Sequence, residues 1–138
     1  MKTKYSLFLL IAASLLLIQC KKDVTDCTDT NASNYNADAD INCCCEYLIT
    51  FDAEGTGNEY QVTWLNEAGT ESTLSGMDNL WVASYVVTLG ATVSFSVTNL
   101  NTDSTTTAIA NIWKGDVIFR TATVTGTGET ATVSGIVN

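Results

Sequence analysis

Over residues 47–138 of this 138-residue chain, apolar and polar positions alternate with a period of two. Successive side chains of a strand point to opposite faces, so the pattern marks strands buried on one side. Tyr47, Ile49 and Phe51 define a first apolar face and Tyr60, Val62 and Trp64 a second, with a turn over 52–58 around Gly55 and Gly57. Asn66-Glu67-Ala68-Gly69 reads as a hairpin turn and 70–74 as the returning strand. A loop through Gly76 and Asp78 leads to Leu80-Trp81 and a strand over 85–89, which Gly90 ends. Val93, Phe95 and Val97 alternate again, 99–104 is a polar turn, and Ala108, Ala110 and Ile112 resume the pattern. Lys114-Gly115-Asp116 turns into Val117 and Phe119, and Gly126-Thr127-Gly128 precedes a last strand over 133–137. Seven to eight short strands joined by Gly, Asn and Asp turns predict an all-β fold, a small antiparallel β-sandwich of immunoglobulin-like size. Residues 47–138 hold no cysteine, so burial alone must stabilise them. Trp64, Trp81, Trp113, Phe95 and Phe119 supply most of that area. Trp64 shares the face of Tyr60 and Val62, whereas Trp113 is out of phase with Ala108, Ala110 and Ile112 and is the aromatic best placed for exposure.

The first twenty residues follow a different pattern. Lys2 and Lys4 precede an apolar run from Ser6 to Ile18, then Gln19, Cys20 and the polar Lys21-Lys22-Asp23. The run is shorter than the ~20 apolar residues that span a bilayer, and it suits the hydrophobic part of a signal peptide. The arrangement resembles the signal peptide of bacterial lipoproteins, with Leu17 opening the cleavage box and Gln19 standing where that box has a small residue. The resemblance implies a signal peptide over 1–19, acylation of Cys20 as the new N-terminus, and attachment to the outer membrane of the cell envelope, on its periplasmic or surface face. Each buried methylene contributes ~0.8 kcal/mol, so two or three acyl chains hold a protein firmly.

Residues 20–46 form a polar tether without strand or helix periodicity. It carries Cys27 and three consecutive cysteines, Cys43, Cys44 and Cys45. With Cys20 acylated, four thiols remain, an even number that would pair in an oxidising compartment. Adjacent cysteines rarely bond each other, so the expected bridge runs from Cys27 to one of the three. It closes a loop of 16 to 18 residues that stabilises by ~3 kcal/mol in the chain-entropy picture. Cys27, Thr28, Asp29, Ala32, Asn34, Tyr35, Asn36, Ala39 and Tyr47 match a C-T-D-x-x-A-x-N-Y-N pattern, and the segment resembles a short repeat of bacterial surface and secreted proteins. That resemblance implies a small disulfide-closed module and no chemistry.

Charge and composition narrow the function. Fifteen acidic residues stand against six basic ones, a net charge of −9. Every acid follows Cys20 while Lys2 and Lys4 precede it, so the remainder carries 15 acids and 4 bases, or −11. Such a surface repels phosphate backbones, and nucleic acid is not an expected partner. The chain has no histidine, which removes Ser-His-Asp and Cys-His centres and the commonest zinc ligand. No Asp or Glu sits in a context that predicts burial, so no enzymatic activity is expected. Asp38, Asp40 and Asn42 have the D-x-D-x-N spacing that opens a calcium-binding loop, but Cys43 stands at the glycine position and Ile49 at that of the bidentate Glu. A solvated acidic loop is the plainer reading, with calcium the one cofactor to consider.

One further resemblance spans two thirds of the chain. Trp64-Leu65-Asn66-Glu67-Ala68-Gly69-Thr70-Glu71, Leu80-Trp81, Val93-Ser94-Phe95-Ser96-Val97 and Ile112-Trp113-Lys114-Gly115-Asp116-Val117 are similar to the extracytoplasmic domain of the MmpS-type accessory membrane proteins. This implies a sandwich at a membrane face. The expectation is therefore a non-enzymatic envelope lipoprotein that presents a sandwich for binding or scaffolding, with an unknown protein or glycan as ligand. An accessory subunit of an envelope transport complex and a carbohydrate-binding module are the alternatives.

Overall fold

The computed structural model describes residues 22–78 and 80–138. The expected signal peptide and Cys20 lie outside them. Among the described residues there are ten strands and no helix. A two-stranded parallel pair, β1 (Thr25–Asp26) with β2 (Ile41–Asn42), sits in the tether. The other eight are β3 (Glu46–Gly55), β4 (Tyr60–Leu65), β5 (Glu71–Met77), β6 (Trp81–Thr88), β7 (Thr92–Asn99), β8 (Thr107–Lys114), β9 (Val117–Thr125) and β10 (Thr130–Ile136). They form two four-stranded antiparallel sheets, β10-β7-β4-β5 and β6-β3-β8-β9. The all-β sandwich expected from the alternation is what the chain forms.

The inner faces are those the alternation marked. Ile49 and Phe51 of β3, Val62 of β4, Val93, Phe95 and Val97 of β7, and Ala108, Ala110 and Ile112 of β8 are fully buried. Aromatic rings tie the layers together at one end. Phe51 meets Phe95 across the sheets at 5.4 Å between centroids, Trp81 stacks on Phe95 at 5.7 Å, and Trp64 meets Trp81 at 4.8 Å. The buried Tyr60 and the half-buried Tyr85 carry polar contacts across the same gap. The Tyr60 hydroxyl donates to the Thr107 carbonyl at 2.9 Å and accepts the Gly57 N–H at 2.6 Å, and the Tyr85 hydroxyl donates to the Leu65 carbonyl at 2.6 Å. A buried phenol with a hydrogen-bonding partner avoids the desolvation penalty of a lone polar group.

Several segments differ from the expectation: β5 runs through Gly76, expected in a loop, β6 begins at Trp81 rather than at residue 85, and β10 at Thr130 rather than at residue 133. The turn placed over 52–58 begins later, because β3 runs on to Gly55. Asp52 and Glu54 look like turn residues in the sequence but keep the alternation, facing outward while Ala53 is buried. The tether, expected to lack strands, contains β1 and β2. Two-residue strands are too short for a period to show in the sequence, and here backbone pairing at the ends of a closed loop creates them.

Candidate functional site

The outward faces of the two sheets are finished in opposite ways. On β10-β7-β4-β5, cross-strand register builds rows of hydroxyl and amide groups, Ser75–Gln61–Thr98–Thr130 and Thr73–Thr63–Ser96–Thr132. Neighbours in these rows hydrogen-bond at 2.8–3.0 Å: Gln61 with Ser75, Thr63 with Thr73, Ser96 with Thr132 and Thr98 with Thr130. On β6-β3-β8-β9 the corresponding rows are Ser84–Thr50–Trp113–Ile118 and Val82–Asp52–Asn111–Thr121, with Val86–Leu48 beside them. Val82 and Ile118 are 58% and 47% exposed, and Leu48 and Val86 are also open to solvent. A patch of apolar side chains around a half-buried tryptophan is the kind of surface that marks recognition sites.

Around Trp113 the surface forms a shallow depression of about 360 Å³ lined by Thr50, Asp52, Val82, Trp113, Gly115 and Asp116. Local structure explains how the indole reaches it. Register slips between Ile112 and Trp113, where β8 pairs β9, so a bulge sits at this edge. Gly115, at φ +56°, closes the β8–β9 turn in a conformation that favours glycine. Polar groups in the rows are mutually satisfied: Thr50 and Ser84 share a 2.8 Å hydrogen bond, and the Thr121 hydroxyl donates to Asn111 Oδ1 at 2.7 Å. Burial, then a hydrogen bond and the negative charge of Asp52, push the Glu54 carboxyl up. The site thus offers an aromatic face, aliphatic neighbours and carboxylates.

A second, larger depression of about 490 Å³ lies on the other side of the same turn. Thr30, Asn31, Lys114, Val117, Phe119 and Asn138 contribute to it, at the seam between tether and sandwich. Its cation is already engaged, because Lys114 Nζ donates to the Asn138 carbonyl at 2.6 Å and lies 4.1 Å from the centroid of the Tyr47 ring. The seam serves the packing of the tether. Trp113 therefore marks the better candidate.

The tether is a closed module. Cys27 bonds Cys45, both buried, 18 residues apart, so the bridge takes the last of the three consecutive cysteines. Cys43 and Cys44 carry no bridge. Asp29 docks the module on the sandwich: its carboxylate accepts the Asn31 N–H at 2.9 Å and the Tyr47 hydroxyl at 2.7 Å. These bonds hold Asp29 below the usual carboxylate range, and the bond to Asp29 raises Tyr47. The three residues with calcium-loop spacing lie in this module. Asp40 Oδ2 accepts the Val24 N–H at 3.3 Å, Asn42 Oδ1 accepts the Thr28 N–H at 3.0 Å, and the Asp38 N–H donates to Asn36 Oδ1 at 2.9 Å. Two of the three side-chain oxygens thus close the module's own loops. Among the described residues, no group of three or more His, Cys, Asp or Glu is placed to share a metal ion, and no helix is long and apolar enough to cross a membrane.

The sequence did not reveal the importance of Asn99 and Asn101, which read as a polar turn. Asn99 is fully buried. Its Nδ2 donates to the Thr106 and Gly126 carbonyls at 3.0 and 2.9 Å, and its Oδ1 accepts Asn101 Nδ2 at 2.7 Å. Asn101 Oδ1 in turn accepts the N–H groups of Asn58 and Glu59 at 2.9 and 3.2 Å. The pair pins three loops at one end of the sandwich. Nothing in the sequence separates such an amide from one in solvent. No protein-family model matches the chain, and no curated protein sequence matches it.

Proposed function

We propose that the chain is a non-enzymatic lipoprotein of the cell envelope, held in the outer membrane by acyl groups on Cys20, that presents its sandwich as a binding surface around Trp113. The contrast between the two outward faces carries this reading. One face is mostly hydroxyls, with Ile136 exposed at the end of β10, whereas the other gathers Leu48, Val82, Val86 and Ile118 around the half-buried Trp113. Exposed apolar area of this kind costs solubility unless it is used for recognition. Chain length adds support. Four residues lie between Cys20 and Thr25, the start of β1, and the five Cα–Cα steps reach at most about 18 Å. An acyl chain on Cys20 would hold the disulfide module close to the bilayer and set the sandwich above it.

A photo-crosslinking residue at Val82 tests this in intact cells, with Thr132 on the hydroxyl face as control. Crosslinks from position 82 that Trp113→Ala reduces at least tenfold are expected. Equal crosslinking from both positions would refute the binding face. Incorporation of a clickable fatty acid that persists in Cys20→Ala would refute the anchor. A glycan ligand is the second reading, favoured by an indole face beside Asp52 and Asp116 in one shallow depression. Retention on a glycan array that Trp113→Ala abolishes would select it over a protein partner.

A further inference from the structure

Cys43 and Cys44 do not behave as two unrelated thiols. Their Sγ atoms stand 2.6 Å apart, well inside van der Waals contact for two sulfurs and nearer to the bonded separation of about 2.05 Å. We propose that Cys43 and Cys44 are a vicinal redox pair that closes to a disulfide by exchange with a disulfide-bearing oxidant and reopens with thiols.

The backbone is already shaped for this. Adjacent Cα atoms are about 3.8 Å apart, short of the usual disulfide range of about 4.4–6.8 Å, so closure requires an unusual conformation at the pair. Cys44 has one: its φ is +55°, the left-handed region that a residue with a Cβ avoids, and among the described residues no other non-glycine adopts it. The conformation is held from both sides. The Cys43 N–H donates to the Asp26 carbonyl at 3.0 Å. Asn34 Nδ2 donates to the Cys44 carbonyl at 2.7 Å, while Asn34 Oδ1 accepts the Glu46 N–H at 2.9 Å. Next in the chain, Cys45 is fixed by its bond to Cys27. The module thus presses two sulfurs together at its surface, where Cys44 is exposed and Cys43 half-buried.

The chemistry balances with an oxidant of the form R–S–S–R. Cys44, exposed, loses its proton to solvent and attacks one sulfur of the oxidant. That S–S bond breaks, the departing thiolate takes a proton, and a mixed disulfide remains on Cys44. Cys43, deprotonated in turn, attacks the Cys44 sulfur, forms the Cys43–Cys44 bond and expels the second thiolate, which is protonated. Two electrons pass to the oxidant, which leaves as two thiols. A bond such as Cys27–Cys45 persists in oxidising surroundings, where such oxidants also act. That bond is buried and resists the exchange that the exposed pair undergoes.

The test uses the full chain, purified in detergent without reductant, treated with oxidised glutathione, alkylated with N-ethylmaleimide after denaturation, and mapped by mass spectrometry. The peptide holding Cys43 and Cys44 should carry no adduct and be lighter by one hydrogen pair. Brief treatment with a dithiol before denaturation should raise this to two adducts while Cys27 and Cys45 take none. In Cys43→Ser, Cys44 should instead retain glutathione, which the unsubstituted chain does not. Two adducts on the oxidised chain, a bridge from Cys27 to Cys43 or Cys44, or retained glutathione on the unsubstituted chain would each overturn the proposal.

Discussion

The two sheets share one core but present different surfaces. Outward positions of β10-β7-β4-β5 are mostly Ser, Thr and Gln, and four cross-strand pairs of them hydrogen-bond. Outward positions of β6-β3-β8-β9 put Leu48, Val82, Val86, Ile109, Trp113 and Ile118 among Thr50, Asp52 and Asn111. Both surfaces are compatible with the same backbone, since pairing needs only β-branched or similar side chains that fit a pleated surface. The difference therefore lies outside what folding requires of a strand, and it is the contrast on which the proposed binding surface rests.

The largest effect should come from the side chains common to both sheets. Phe95 is fully buried between Phe51 and Trp81. Phe95→Ala should cost about 4 kcal/mol, read as a fall in the denaturant midpoint with little change in slope. A loss below 1 kcal/mol would mean that the sheets do not pack as described. Asn99→Ala should come next, at about 3 kcal/mol, because it removes the Nδ2 bonds to the Thr106 and Gly126 carbonyls and leaves the buried Asn101 N–H without its acceptor. The outward faces then give small effects of different kinds. Thr63→Ala should cost about 0.5 kcal/mol through its lost pairing with Thr73 and leave ligand crosslinking unchanged. Trp113→Ala should cost under about 1.5 kcal/mol yet abolish crosslinking; a reversed pattern would show that the hydroxyl face is the one that binds.

Acid gives the mildest test and reaches the module through Asp26 and Asp29, while in the sandwich it touches the Asp103 turn, which Thr105 holds low. The Asn36 side chain and the Cys27 N–H hold Asp26 below its ordinary value, and the Asn31 N–H and Tyr47 hydroxyl do the same for Asp29. With folded pKa values depressed, these contacts contribute fully above the unfolded value of about 3.9 and are lost as pH falls through the folded values. Below about pH 4, amide exchange at Cys27 and Asn31, corrected for intrinsic rates, should quicken while the Ser96–Thr132 ladder keeps its protection. Loosening of both together would mean that the module and the sandwich open as one unit.

The sequence by itself determined the class of fold and the composition of its core. A period of two is a local property, and it places Ile49, Phe51, Val62, Phe95 and Ile112 on buried faces whatever sheet each strand joins. It also singled out Trp113, because a residue out of phase with a buried row must face away from it. Tertiary structure alone decided which cysteine meets Cys27, that Cys43 and Cys44 converge, that Asn99 and Asn101 are buried, and which strands sit side by side to gather the exposed apolar residues on one sheet. Each of these depends on partners distant in sequence, such as Cys27 with Cys45 or Trp113 with Thr50. Local pattern fixes which face a side chain takes, but a contact between distant residues is set by how the whole chain packs.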